Sequence, residues 1–292
     1  MMRYLLRVLI LLIVPCAGAD AQCTLSAQPV NFGNYTGTLV TPGASVLSVA
    51  STSCPLLTLS FAAGLSAGTG VGATTTTRKM TGPGSATLSY QLFQNASHTT
   101  NWGNTPGTDT VSGTPGTTLN IYPQLAAGQN NAPGTYTDTI TVTVTEYLLG
   151  LLVAGTSTTT FTVTATIVPN CLISASPLNM GNYSGALLNA TSALTVTCTN
   201  TTVFNIGLNA GTATGATVTT RKMTGPGSAT LNYKLFRDSG LTQNWGMTVG
   251  TDTFSSTGSG LAQQITVYGQ IPAGQFVTPG TYNDTIIATI TY

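Results

Sequence analysis

The sequence predicts an all-β protein built from two β-sandwiches in tandem, and three observations lead to this prediction. Short runs rich in Thr, Val, Ile, Leu, Tyr and Phe recur along the chain and are separated by Gly, Pro and Asn, as at 86–93 and 136–147. No stretch carries apolar residues at the i, i+3, i+4, i+7 spacing over the length of a helix. The chain also repeats itself, because RKMTGPGSATLSYQLF at 78–93 returns as RKMTGPGSATLNYKLF at 221–236. Each repeat has the size of an antiparallel immunoglobulin-like sandwich.

The two repeats differ at their ends. Gly-Asn-Tyr at 33–35 returns at 181–183, but the residues at 148–168 have no counterpart after the second repeat. Within them the stretch 157–168 alternates apolar residues with threonine, which is typical of a strand with one buried face. Its inward residues would be Phe161, Val163, Ala165 and Ile167. We therefore expect the strand 157–168 to close the first sandwich, and the second sandwich to lack its last strand.

A sandwich without its last strand has an open apolar groove. The final strand of the second repeat would line that groove with Ile286, Ala288, Ile290 and Tyr292, which alternate with polar residues apart from Ile287. Burial of three large inward residues of the closing strand contributes about 5–8 kcal/mol as an upper estimate. Because a domain is stable by only about 5–15 kcal/mol, the second repeat should be marginal alone. We expect a strand from another polypeptide to complete it.

The first 21 residues predict a secretory signal. They contain two arginines, an apolar run from Leu5 to Val14, and Ala19 and Ala21 at the spacing of a cleavage site. Cleavage after Ala21 would leave only Gln22 ahead of the first repeat, and thus no free arm to donate to a neighbour. The predicted organisation is a signal at 1–21, a first domain at 22–168 and a second domain at 169–292.

Composition and cysteine usage narrow the functional classes. Charged residues are 5% of the chain, against about 25% in ordinary soluble proteins, and without the signal the net charge is near zero. This argues against nucleic acid as a partner.

Each repeat has two cysteines, so an exported chain should form disulfides within each repeat, Cys23 with Cys54 and Cys171 with Cys198. A zinc site is a poor alternative, because the spacings are long and the chain has one histidine.

The sequence does not predict an enzyme or a cofactor. The single histidine, His98, lies in a polar loop, and none of the nucleophile, zinc or phosphate-binding motifs is present. Four aspartates fall in turn-like or strand-edge settings, namely Asp109, Asp138, Asp252 and Asp284. The Arg-Lys pairs at 78–79 and 221–222 are interpreted as solvated strand edges. Trp102 and Trp245, which occur in both repeats, are interpreted as fold residues.

An apolar turn is the candidate binding site. The turn that enters the closing strand contains Leu148, Leu149, Leu151, Leu152 and Val153, whereas turns are usually polar. If exposed, these side chains would form an apolar patch at the end of the sandwich far from the second repeat, and such patches usually mark interaction sites. In the alternative interpretation this segment extends the two strands and packs into the core, or covers one end of the sandwich.

Several motifs resemble a known family. The start Cys-Thr-Leu-Ser-Ala at 23–27, Phe-Gly-Asn-Tyr at 32–35, the RKMTGPGSATL box and the Pro-Gly-Thr-Tyr-x-Asp-Thr-Ile ending are similar to the spore coat protein U domain family. That family includes pilins of archaic, Csu-type chaperone–usher pili. The resemblance implies three partners: a periplasmic chaperone, an outer-membrane usher and a next pilin subunit that donates a strand.

The resemblance also implies a role. A two-domain member without a donor arm resembles a tip adhesin, which would be exported through the periplasm and placed on the cell surface at the tip of a pilus. The expected function is adhesion to a hydrophobic surface or a host ligand, with biofilm formation, through the apolar turn. The alternative is a structural coat or matrix protein, or a minor subunit that starts pilus assembly without adhesive role.

Overall fold

The computed structural model describes residues 23–51, 54, 58–148 and 152–292. The predicted signal at 1–21 lies outside these residues. Within the described part of the chain, no helix is both long enough and apolar enough to cross a membrane. We refer to residues 23–168 as the N-terminal half and to residues 169–292 as the C-terminal half.

The protein is all-β, as the sequence predicts. The only helical segments in the described residues are short 3-10 turns at Pro83–Ser85 and Pro226–Ser228. The strands of the N-terminal half are β1 Leu25–Ala27, β2 Val30–Tyr35, β3 Ser45–Val49, β4 Thr58–Leu65, β5 Arg78–Thr81, β6 Thr87–Phe93, β7 Val111–Gly113, β8 Thr118–Leu125, β9 Gly134–Leu148 and β10 Leu152–Ile167. The strands of the C-terminal half are β11 Cys171–Ala175, β12 Leu188–Cys198, β13 Val203–Leu208, β14 Arg221–Thr224, β15 Thr230–Phe236, β16 Phe254–Thr257, β17 Gln263–Ile271 and β18 Ala288–Thr291.

The N-terminal half is a two-layer sandwich. One layer has the strand order β1-β3-β8-β6-β5, and the other has the order β7-β4-β9-β10-β2. A single pair, Thr81 with Thr137, joins the layers. The layers enclose one apolar core, in which β10 contributes Phe161, Val163, Ala165 and Ile167, all at most 5% exposed.

The C-terminal half repeats this plan with two strands fewer. Its layers are β11-β12-β17-β15-β14 and β16-β13-β18. They match the first layer and β7-β4-β9 of the N-terminal half. No described strand corresponds to β10, and residues 178–183, which match β2 in sequence, are not a strand. The C-terminal half therefore lacks the edge of its second layer.

The closing strand differs in extent from the sequence-based expectation of 157–168. It begins at Leu152 and ends at Ile167, because residues 152–156 continue the antiparallel pairing with β9 down to Leu148. β10 also pairs in parallel with β2, where Val163 lies opposite Val30. β10 is therefore flanked by a strand on each side.

The two arginines expected on solvated edges are instead buried. Arg78 and Arg221 are each 0% exposed. They share the inward face of their short strands with Met80 and Met223, because side chains alternate along a strand. Arg78 donates hydrogen bonds to four main-chain carbonyls, and Arg221 does the same at equivalent positions.

The fold residues and disulfides follow the repeat. Trp102 and Trp245 are at most 1% exposed, and each indole N–H donates to a main-chain carbonyl at 2.8 Å. A disulfide joins Cys23 to Cys54 and another joins Cys171 to Cys198, the pairing that the repeats predict. Cys171 and Cys198 lie opposite each other on β11 and β12, so this bond ties the first strand of the C-terminal half to its neighbour.

Candidate functional site: an open cleft and an apolar tip

The C-terminal half contains an open cleft where the N-terminal half has β10. The cleft has a volume of about 480 Å³. One wall is the segment 282–288 and the other is the segment 175–180, while the floor consists of core side chains from the sheets. The floor residues are Leu194, Leu208, Met223, Tyr233, Leu235 and Val267. We call this feature the open cleft.

The side chains around the open cleft are less buried than their counterparts in the N-terminal half. Tyr136, Ile140 and Val142, which lie on β9 beside β10, are each 0% exposed. Their equivalents Tyr282, Ile286 and Ala288 are only partly buried, as are Leu178 and Met180 on the opposite wall. The apolar surface that β10 covers in one half thus remains accessible in the other.

Of the four residues expected to line the groove, two do so. Ile286 and Ala288 are part of the cleft wall. Ile290 packs against the core cluster, and Tyr292 is 54% exposed. Tyr292 falls outside because the cleft ends before it. The opposite wall, with Leu178 and Met180, was not identified from the sequence, although its Leu-x-Met alternation matches Val30-x-Phe32 in the N-terminal half.

The register of β10 shows which kind of segment fits such a cleft. Phe161 lies opposite Ile140, Val163 opposite Asp138 and Ala165 opposite Tyr136 on β9. A strand with apolar side chains at alternate positions, and main-chain groups free to pair on both edges, satisfies this geometry.

The aspartate and the tyrosine at the cleft, Asp284 and Tyr233, already have hydrogen-bond partners. Asp284 accepts hydrogen bonds from the Tyr233 hydroxyl at 2.7 Å and from the main chain and side chain of Thr212. Asp138 accepts equivalent bonds from Tyr90 and Thr69. Burial, together with the neighbouring aspartate, raises the pKa of Tyr90 and Tyr233. These tyrosines therefore stay neutral donors, and the cleft offers an apolar surface without a free charge.

The structure describes three residues of the predicted apolar turn, Leu148, Leu152 and Val153, which we call the apolar tip. They lie at the end of the N-terminal half that is opposite to the C-terminal half, because Leu152 begins β10 and Ile167 ends it. Leu148 is half-buried and pairs with Thr58, so the end of β9 lies beside the start of β4. Leu152 and Val153 are 65% and 64% exposed. Leu152 and Val153 extend β10 along β9, as in the alternative interpretation, yet these two side chains do not enter the core. Leu149 and Leu151 lie outside the described residues.

One functional candidate that the sequence reasoning missed is Glu146. It is the only glutamate in the sequence and is 0% exposed. It lies on β9, two residues before the end of that strand. Its Oε1 atom accepts hydrogen bonds from the main-chain N–H of Cys23 at 3.0 Å and from the Ser157 hydroxyl at 2.5 Å. The sequence could have indicated its burial, because Glu146 continues the alternation in which Ile140, Val142 and Val144 face inward.

Glu146 ties together the segments that support the tip. It connects β9 to β10 through Ser157 and to the Cys23–Cys54 disulfide through Cys23. Its other carboxylate oxygen, Oε2, is buried and has no hydrogen-bond partner in the described part of the chain. Gly155 leaves room for it, since a Cβ atom there would lie 3.2 Å from Oε2.

Replacing Glu146 should loosen this end of the sandwich. We expect Glu146→Ala to lower the free energy of unfolding by about 2–3 kcal/mol, because two donors lose the acceptor that they share. Ser157→Ala, which removes one donor and leaves Cys23 paired, should cost about 1 kcal/mol. Glu146→Gln is the matched control, since its amide oxygen can accept both bonds. Denaturant unfolding measures all three, and an unchanged Glu146→Ala protein would contradict this role.

Comparison with known proteins agrees with this architecture. The family model described as the Spore Coat Protein U domain matches residues 11–143 and again residues 157–289. Protein U of Myxococcus xanthus is 38% identical over 128 residues, which cover 39% of this chain and 71% of that protein.

Solved structures also resemble the chain. One is from the chaperone–tip adhesion subunit pre-assembly complex CsuC–CsuE of archaic Csu pili of Acinetobacter baumannii, with 17% identity, a TM-score of 0.52, and coverage of 92% of this chain and 100% of that chain. Another is the CupB6 tip adhesin of Pseudomonas aeruginosa, with 10% identity, a TM-score of 0.42, and coverage of 93% and 94%.

The family model accounts for most of the sequence as two tandem copies. The likeness to the Csu structure shows that the two-sandwich fold is shared over nearly the whole chain. Family and fold are those of a structural protein and not of an enzyme, as the sequence predicts. The chain belongs to the Spore Coat Protein U domain family.

Proposed function

We propose that the chain is the two-domain tip subunit of a chaperone–usher pilus that mediates adhesion to surfaces and biofilm formation. The observation that carries the proposal is the contrast between the halves: β10 closes one sandwich, and the other has an open cleft in the same place. The domain at 22–168 would bind the surface. The domain at 169–292 would attach the subunit to the fibre.

The open cleft would be filled in two steps. A periplasmic chaperone would first insert a strand, which keeps the apolar walls from aggregating. At the outer-membrane usher, the next pilin subunit would replace that strand with its own. The fold shared with a chain of the CsuC–CsuE complex, in which a chaperone is bound to a tip adhesion subunit, supports this sequence of partners. The subunit would thus pass through the periplasm to the tip of a pilus on the cell surface.

The apolar tip would be the adhesive surface. Leu152 and Val153 are exposed, and the same hairpin contains Leu148, Leu149 and Leu151. Contiguous exposed leucine and valine side chains bind hydrophobic surfaces by the area that they remove from water. The ligand of such a surface would be a hydrophobic solid or an apolar patch on a host molecule.

Polar substitutions at the tip should separate adhesion from assembly. We expect the double change Leu152→Ser and Val153→Ser to lower retention of pili on polystyrene about fiftyfold, because roughly 100 Å² less apolar area is buried there. The amount of pili on the cells should not change. Leu39→Ser is the matched control, since Leu39 is 57% exposed but lies near the opposite end of the sandwich. Retention equal to that of the unchanged pili would place the adhesive surface elsewhere.

The second candidate function is a structural coat protein. The description of the matching family, Spore Coat Protein U domain, favours it, together with the 38% identity to Protein U of Myxococcus xanthus. A coat protein and a pilus subunit would both need the open cleft to be filled, so the cleft does not distinguish them. Electron microscopy of cells with and without the gene does, since only a pilus subunit changes the fibres.

A further inference from the structure

We propose that Phe276 is part of the surface on which the folded body of the strand-donating subunit packs. This inference rests on the proposed function, because it assumes that a neighbour fills the open cleft. Phe276 is 98% exposed. Among the exposed large apolar side chains in the described part of the chain it is the most exposed, and covering its ring with a partner would be favourable.

The contact between the two halves of the chain indicates how the donor subunit would pack on the C-terminal half. The loop 126–133, which we call the joint loop, reaches the C-terminal half through Asn130. The Asn130 amide donates a hydrogen bond to the main-chain oxygen of Ser259 at 2.8 Å, and Asn200 donates to the main-chain oxygen of Asn130 at 3.3 Å. A Cβ atom on Gly260 would lie 1.8 Å from Asn130, so only glycine permits this approach.

The C-terminal half has the same loop at 272–279. Gln129 exchanges two hydrogen bonds with the main chain of Ser89, and Gln275 makes the same pair with Asn232. The main-chain N–H of each glutamine also donates to a tyrosine hydroxyl at 3.0 Å. Because these glutamines are equivalent, Phe276 occupies the position of Asn130. The residue that contacts the next domain in one half is thus an exposed aromatic in the other.

The direction of β10 shows what would meet Phe276. β10 ends at Ile167, which lies opposite Gly134 and Tyr35 beside the joint loop. From there the chain continues into the C-terminal half. A strand in the open cleft with the same direction would end beside Gly280 and Tyr183, close to the loop that contains Phe276. The folded part of the donor would begin at that point.

The occupant is therefore a further domain of this family, joined to the inserted strand. Its matching surface would be the end that the C-terminal half presents to Asn130. On this chain that end includes Leu261, which follows Gly260 and is 69% exposed. An apolar side chain at the corresponding position of the donor would contact Phe276. An aromatic–aliphatic contact would replace the amide hydrogen bond that joins the two halves.

The test uses the full chain assembled in pili on the producing cells. Purified pili are heated in steps, and the fraction of the subunit that remains on the fibres is measured by immunoblot. We expect Phe276→Glu to weaken retention about tenfold, since burial of one phenylalanine side chain has an effect of that order on a binding constant. Phe276→Asn, which introduces the residue of the joint loop, should weaken it less. Val71→Glu is the matched control, because Val71 is 85% exposed in the N-terminal half.

A cleft variant separates this inference from the proposed function. Ile286→Asp, in the wall of the open cleft, should abolish incorporation; if it does not, strand donation itself is wrong. If Ile286→Asp abolishes incorporation while Phe276→Glu is retained like the unchanged subunit, Phe276 does not face the donor. If Phe276→Glu instead depletes the subunit from the periplasm before assembly, Phe276 contacts the chaperone, and the proposed occupant is also wrong.

Discussion

Filling the open cleft with the chain's own closing strand should stabilise the C-terminal half strongly. The experiment appends a copy of residues 147–168 directly after Tyr292. Tyr292 is equivalent to Glu146, because Ile206 pairs with Ile290 on β18 as Ala63 pairs with Val144 on β9. The copied hairpin should therefore return along β18 in the register of β10 and place its phenylalanine, valine, alanine and isoleucine in the cleft.

The expected gain comes from apolar burial. Three large inward side chains contribute about 5–8 kcal/mol as an upper estimate, and ordering the added strand offsets part of it. We expect the midpoint of thermal unfolding of the C-terminal half to rise by at least about 10 °C. Amide hydrogen exchange should show new protection at 282–287, where the present structure has no strand.

The matched control has the same extension with serine at the three large inward positions. It keeps the length, the hairpin and the main-chain donors but removes the apolar side chains. If both extensions raise the midpoint equally, the cleft recognises a strand by its main chain alone. If neither changes the midpoint or the exchange rates, the open cleft is not an acceptor for a strand of this kind.

The sequence repeat predicts the closing strand and the missing one, and the structure shows why it does. The segment Pro-Gly-Thr-Tyr-x-Asp-Thr-Ile occurs in both halves, yet it forms part of the fifteen-residue β9 in one and lies entirely outside the four-residue β18 in the other. Local propensity is nearly the same in the two copies. The presence of β10 as a hydrogen-bonding neighbour decides whether this segment is a strand.

The errors of the sequence reasoning have one physical origin. The charge of Arg78 leads to its interpretation as part of a solvated strand edge, and the sequence reasoning assigns no role to Glu146. Period-two alternation places both on inward faces, Arg78 with Met80 and Glu146 with Val144. A charge is stable in such a position when hydrogen bonds replace its water. The partners that do so are distant in sequence, as Cys23 is from Glu146, and are not visible before the chain is folded.

Replacing Arg78 should be among the most destabilising changes in the N-terminal half. Its guanidinium donates to the carbonyl oxygens of Ser66, Thr75, Leu65 and Trp102 at 2.6–3.0 Å. Burial lowers its pKa to about 10, so it stays charged at neutral pH. Arg78→Ala would leave four carbonyls without this donor, and we expect a loss of about 4 kcal/mol or more in the free energy of unfolding.

Two further substitutions show whether the planar donor group is responsible. Arg78→Lys keeps the charge but cannot reach four carbonyls with one ammonium group, so it should recover less than half of the loss. Lys79→Met is the matched control, because Lys79 is only partly buried on the opposite face of the same strand and should change stability by less than about 0.5 kcal/mol. Denaturant unfolding compares the three variants. If Arg78→Lys restored full stability, the positive charge alone, and not the several N–H donors of the guanidinium, would account for the contribution of Arg78 to stability.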